Sequence, residues 1–222
     1  KHGAQLFLVD RDRDSLEQVK AGFEQADAAV AIHTADVNDE AAARDMVRHA
    51  VRKMGGIDVL ITASGAISEV PVESMSLTEW RQIMSSNLDS VFLACREVLP
   101  HMRSQHYGRI ITVSSQIGQR GAPRFTHYAA SKAGLIGFTK ALAREVARDG
   151  ILVNSVAPGP VLTTFNKDLR PETLAGTEAS LPLGRAAQPE EIAGAILLLA
   201  SSPHGDVFVG QTLGPNCGDV ML

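Results

Sequence analysis

Cysteine, aromatic residues and long apolar runs are scarce in this sequence, and each scarcity removes a class of protein. Only two cysteines, Cys95 and Cys217, occur in 222 residues. They make no metal-ligand spacing and no disulfide framework, so no metal is expected. They read as reduced thiols of a cytoplasmic protein, because disulfides rarely persist there. The longest strongly apolar run, residues 192–200, falls well short of the ~20 residues that a membrane-crossing helix needs, and it reads as a buried helix. The opening Lys1-His2-Gly3 has no apolar stretch behind a basic start, so no secretory signal is expected. A dominant charge is lacking too. The net charge of -4 gives no electrostatic reason to expect nucleic acid or an anionic membrane as a partner. What remains is the composition of an ordinary globular protein, 45% hydrophobic and 21% charged, long enough to bury a substantial core.

Short apolar runs alternate with longer amphipathic ones, the pattern of βαβ units around a parallel sheet. Strands are expected at residues 5–9, 28–34, 57–61, 109–113, 151–156 and 211–213. Helices are expected at residues 14–25, 39–54, 77–105 (interrupted near Asn87) and 126–148. A further helix should begin at Pro189, followed by Glu190 and Glu191 as a helix start favours. No internal repeat, linker or charge block divides the chain. The expected fold is therefore one α/β domain over residues 1–222, a Rossmann-like doubly wound parallel sheet in three layers. Residues 162–188 read as a long irregular loop of the kind that covers binding sites. In such sheets ligands sit beyond the carboxyl ends of the strands, so Asp10, Asp36, Gly65, Ser115 and Pro158 are expected around one crevice.

Tyr128 and Lys132 are four apart and so adjacent on one helix face. Alone, the pair is a common accident of solvated helices. Three further features accompany it. Val113-Ser114-Ser115 ends the preceding strand, Pro158-Gly159-Pro160-Val161-Leu162-Thr163 ends the next, and the polar Asn87 interrupts an apolar helix. The residue types suit proton transfer. Tyrosine, with a pKa of about 10, is ordinarily too weak an acid, and an adjacent ammonium favours its phenolate. A serine hydroxyl nearby can polarise a substrate oxygen.

In this order the residues resemble the short-chain dehydrogenase/reductase family, over essentially the whole chain from Gly3 onward. The family's serine lies thirteen residues before its tyrosine, as Ser115 lies before Tyr128. The resemblance implies a hydride-transferring oxidoreductase on a small-molecule alcohol or ketone. Tyr128 would be the general acid/base and Lys132 its tuner and a partner of the nicotinamide ribose, with Ser115 on the substrate oxygen. Asn87 would support a water relaying protons to Lys132, against the simpler reading of a helix kink bonded by its own side chain. Asp36 and Val37 would meet the adenine, Gly65 would allow close backbone approach, and Pro158, Gly159, Val161 and Thr163 would line the nicotinamide end. A carboxylate at Asp10 favours NAD over NADP, while Arg11 and Arg13 beside it are of the type that recognises a 2'-phosphate.

Two departures stand out. No Gly-x-Gly occurs in the chain, and the first recognisable strand corresponds to the family's second. The first strand, Gly-rich turn and helix, roughly 30 residues of one βαβ unit, are expected to be absent. The family's Asn-Asn-Ala-Gly is here Thr62-Ala63-Ser64-Gly65, which removes the amides that brace neighbouring strands; Thr62 is left to supply one bond. Residues 107–158 and 210–222 look most like 3-oxoacyl-(acyl-carrier-protein) reductases, so a β-ketoacyl thioester is expected. A sugar or polyol substrate, and a non-catalytic dinucleotide-binding or scaffold role, remain the alternatives. Arg120 and Arg124, beside Ser115, are candidates for an anionic substrate group or simple solvated charges. The family habit of packing two long helices across a twofold implies a homotetramer or homodimer.

Overall fold

The computed structural model describes residues 3–25, 29–166 and 169–221. Its elements run β1 (Leu6–Asp10), α1 (Arg13–Gln25), β2 (Val30–Thr34), α2 (Glu40–Met54), β3 (Val59–Thr62), α3 (Leu77–Met84), a π-turn at Ser85–Asp89 and α4 (Ser90–Gln105). They continue with β4 (Gly108–Val113), α5 (Gln116–Arg120), α6 (Thr126–Val146), β5 (Ile151–Val156), α7 (Pro171–Ser180), α8 (Pro189–Ala200) and β6 (Thr212–Leu213). The strand expected from residue 28 begins outside the described residues.

All strand pairs are parallel, but they fall into two hydrogen-bonded sets, β1-β2 and β3-β4-β5-β6. Among the described residues no strand joins β1 to β3, and β3 leaves Val59 and Ile61 exposed. Alternation along the strands builds layers on both faces. Ile110 of β4 and Val153 of β5 pack with α2, α4 and α6 residues such as Val47, Val98, Met102 and Leu135. Their neighbours Ile111 and Val156 pack on Ile192 and Leu199 of α8 from the other side. Side chains of period two on a strand make this sorting automatic.

Local chemistry sets the helix ends. Asp39 accepts the Ala42 N–H at 2.8 Å, and Ser76 with Glu79 forms a capping box on α3, satisfying amides that a helix start leaves open. The stretch 162–188, expected to be irregular, contains α7. Pro171 at its first turn and Glu172 beside it are the signals that should have marked a helix start. The sequence PETLAGTEAS has no apolar stripe to reveal the helix by periodicity.

Candidate active site

Tyr128, Lys132 and Ser115 converge where β4 ends against α6. Ser115 caps α5, its hydroxyl accepting the Ile117 N–H at 3.1 Å, and the same hydroxyl lies near enough to the Tyr128 phenol to favour its ionised form. Gly118 lets α5 lie flat on α6, since a Cβ there would sit 2.7 Å from the Lys132 carbonyl carbon. Ser114 donates to the Lys132 carbonyl at 2.7 Å, tying the strand end to the helix. Lys132 itself is 4% exposed. Its ammonium donates to the Val113 carbonyl at 2.8 Å and lies 5.8 Å from the Tyr128 ring centre.

Burial governs both titrations. It lowers Lys132 to about 8 and pushes the Tyr128 phenol up to about 12, with the Ser115 hydroxyl opposing the rise. This corrects the expectation that Lys132 would lower Tyr128. Desolvation of a phenolate in an apolar setting outweighs an ammonium already bonded to a backbone carbonyl.

Asn87, in the π-turn, is fully buried. Its carbonyl oxygen accepts the Ala66 N–H at 2.8 Å, while its amide donates to the Ala66 carbonyl at 2.9 Å and to the Ser131 hydroxyl at 3.1 Å. Ser131 in turn donates to the Tyr128 carbonyl at 2.8 Å. Asn87 is therefore not a kink bonded to its own turn. It fastens the loop after β3 to α6, and such π-turns often sit at functional sites.

Gly65 fits beneath Asn87 because it has no side chain; a Cβ would lie 2.7 Å from Asn87 Oδ1 and 3.6 Å from Lys132 Nζ. Gly65→Ala is expected to cost about 1–3 kcal/mol by overpacking and to lower turnover, because Asn87 must move; thermal melts and initial rates together check both effects. Thr62, expected to replace one brace bond, does not. Its hydroxyl is buried without a partner, because it is too short to reach where an Asn amide would.

Asp10, Asp36, Val37 and Gly65 line one cleft of about 620 Å³, with Arg11, Asn38, Ile67, Ile83 and Phe165 among its other walls. Asp36 accepts the Asn38 N–H at 2.9 Å, and Asp10 accepts the Asp12 N–H at 2.9 Å. Ser115, Tyr128, Lys132, Pro158, Gly159, Val161 and Thr163 are not on these walls, so the expected convergence of Ser115 and Pro158 with Asp10, Asp36 and Gly65 on one crevice is not seen; two contacts join Lys132 and Thr163 to the cleft. Gly65 adjoins Lys132. The Pro158 carbonyl accepts the Gln116 N–H at 3.0 Å, and Gly159 closes on the backbone of Asn216. Val161 bridges to Ala187. Thr163 Oγ1 accepts the N–H of the cleft residue Phe165 at 3.3 Å.

The sequence reading missed Ser114 and Ser131. It also missed His127, which is buried and shares a 2.8 Å bond with Ser68, and Glu69. Ser131, three residues after Tyr128 on the same helix face, was the findable one. Arg120 and Arg124 are not solvated charges. Arg120 pairs with Asp219 and Arg124 with Glu69 at 2.9 Å, so both are committed to carboxylates of the chain. Cys95 and Cys217 form no disulfide. Among the described residues no helix is long and apolar enough to cross a membrane, and no group of three or more His, Cys, Asp or Glu could hold a metal ion.

Comparison with known proteins matches residues 1–218 to the family described as enoyl-(acyl carrier protein) reductase. Acetoacetyl-CoA reductase of Acinetobacter sp. (strain RA3849) is 38% identical over 213 residues, covering 95% of this chain and 85% of that protein. The 3-oxoacyl-[acyl-carrier-protein] reductase of Thermotoga maritima is 37% identical over 222 residues, covering 100% and 89%. The crystal structure of gox2181 superposes with a TM-score of 0.92 at 28% identity, covering 97% of this chain and 86% of that one.

Proposed function

The chain belongs to the short-chain dehydrogenase/reductase family and is an oxidoreductase acting on a CH–OH group with a nicotinamide cofactor; from that premise we propose that it reduces a β-ketoacyl thioester with NADH. The Ser115 hydroxyl near the Tyr128 phenol, with a buried Lys132 held on the Val113 carbonyl, is the observation that carries this reading. The relatives named for acetoacetyl-CoA and 3-oxoacyl reduction support the substrate class. We read residues 1–222 as one nucleotide-binding domain of a cytoplasmic homo-oligomer, as the family resemblance implies.

The cleft suits a dinucleotide. Val37 and Ile83 offer apolar walls to a flat base, Asp10 and Asp36 offer acceptors to ribose hydroxyls, and Gly65 leaves room for close approach. Pro158, Gly159, Val161 and Thr163 would hold the nicotinamide end. When bound, that cofactor supplies the hydride. The protein's own part is orientation and proton transfer. Ser115 aligns the ketone oxygen, and Tyr128 donates a proton from its phenol oxygen to the oxygen that becomes the alcohol. Burial keeps the Tyr128 phenol protonated near neutral pH, which supports reduction as the forward direction. Asn87 holds the loop carrying Gly65 against α6.

The preference for NADH rests on the acidic lip. Asp10 lines the cleft, and a carboxylate there accepts ribose hydroxyls and repels a 2'-phosphate. Of the two neighbouring arginines, Arg13 is paired with Glu17 at 3.3 Å, and Arg11 lines the cleft together with Asp10 and Asp36. The test is acetoacetyl-CoA reduction followed by loss of reduced-nicotinamide absorbance, with NADH and NADPH in parallel. Turnover with NADH favoured roughly tenfold or more is the expected result. Turnover with NADPH alone overturns the cofactor assignment, and no turnover with either overturns the substrate assignment.

A further inference from the structure

The loop after β3 carries an acid that the chemistry above does not use. Glu69 has a side chain only 5% exposed, yet two guanidiniums reach it. Arg124 approaches at 2.9 Å from the turn before α6, and Arg170, immediately before α7, bonds the same oxygen through both Nε and an amino group. Thr173, in the first turn of α7, donates to the other oxygen at 3.0 Å. A carboxylate with this many donors stays ionised, and Arg170 is the largest cause holding Glu69 below the usual carboxylate range.

The loop that presents Glu69 is itself fixed to the catalytic frame. Ala66 is bonded on both backbone groups by Asn87, Ser68 by His127, and the Val70 N–H by the Arg124 carbonyl at 2.9 Å. Leu169, just before α7, packs into the apolar cluster of Ile83, Phe125 and Tyr128, and Phe165, upstream, lines the cleft. Glu172, Gly176, Glu178 and Ala179 are exposed. Among the described residues, Leu169 and the Glu69 cluster tie the start of α7 beside Tyr128. Breaking a buried ion pair from one side is costly because it strands the other charge.

We propose that Glu69 is a positioning residue that pins the start of α7 beside Tyr128 and so sets how firmly the substrate end of the crevice is covered. Glu69 touches neither substrate nor cofactor. It acts through Arg170 and Thr173, and it governs substrate capture rather than proton transfer. This assignment rests on the thioester-reductase reading for its kinetic consequence but not for its structural one.

The test compares the wild-type chain with Glu69→Gln and Arg170→Met by amide hydrogen exchange and by steady-state kinetics on acetoacetyl-CoA. Both variants are expected to speed exchange across residues 171–180 roughly tenfold, with α6 unchanged. Both should also raise KM roughly tenfold while kcat stays within about twofold, and Glu69→Asp should restore part of the loss. Arg170 is half exposed, so its variant keeps the fold even if Glu69→Gln does not. Unchanged exchange in α7, or acceleration spread through α6, overturns the proposal, as does a fall in kcat with KM constant. If the wild-type chain turns over no acetoacetyl-CoA, the substrate reading fails and the exchange data alone decide the role of Glu69.

Discussion

Replacing Tyr128 with phenylalanine is expected to lower turnover by about 10²- to 10⁴-fold, the usual worth of one positioned acid/base, while leaving the fold intact. The ring is 5% exposed and packs with Ile83 and Phe125, and phenylalanine keeps all of that apolar contact. The Ser115 hydroxyl near the phenol keeps its bond from the Ile117 N–H. Loss of the phenol oxygen therefore costs at most about 1 kcal/mol, a few degrees in a melt at this chain length. Cofactor titration should be nearly unchanged, because phenylalanine keeps the ring and its packing and removes only the phenol oxygen. Rates and melts measured on the same preparation check this. A variant that keeps its turnover would remove Tyr128 from the chemistry and leave a binding module; one that no longer melts cooperatively would make its role structural.

The spacing of Ser115, Tyr128 and Lys132 was legible because two regular elements fix it. A strand end and one helical turn convert sequence distance into spatial distance with little freedom. The grouping of Asp10, Asp36, Val37 and Gly65 around one cleft was legible for the same reason, as residues just past strand ends. What escaped depends on contacts between distant segments. Glu69 meets Arg124 and Arg170 across 55 and 101 residues, and nothing local in Ser68-Glu69-Val70 announces either partner. Arg120 and Arg124 read as loop charges because Asp219 and Glu69 are equally remote. Asn87 was legible as an interruption of a helix, but its grip on Ala66 was not. The sheet was read correctly as parallel with helices on both sides. The pKa of Tyr128 was misjudged because sequence shows which groups are neighbours and not how dry they are.

That dryness leads to the second large effect. Lys132→Met is expected to abolish turnover and yet to stabilise the protein at pH 7. Burial lowers the Lys132 ammonium from 10.5 to about 8, so the folded state holds that proton less tightly than the unfolded chain. Below pH 8 both states are protonated, and folding bears the whole cost of a buried charge, about 3 kcal/mol at 1.36 kcal/mol per pKa unit. Between pH 8 and 10.5 the unfolded chain binds more protons than the folded one, so this group's penalty shrinks as pH rises through that window. Methionine has a similar length without the charge. Its substitution forfeits the charge-assisted bond to the Val113 carbonyl, worth about 1.5–3 kcal/mol, which leaves a net gain of about 1 kcal/mol. At this chain length that is about 2–4 °C. Melts of the two proteins at pH 7 and at pH 10 isolate the effect: the variant should lead at pH 7, and its lead should shrink at pH 10, whatever the other lysines do in common. An equal or lower melting temperature at pH 7 would mean that the ammonium is solvated in place. A stabilising loss of Lys132 would mark it as a residue held for chemistry at the expense of the fold, as expected where a charge is buried to serve a reaction.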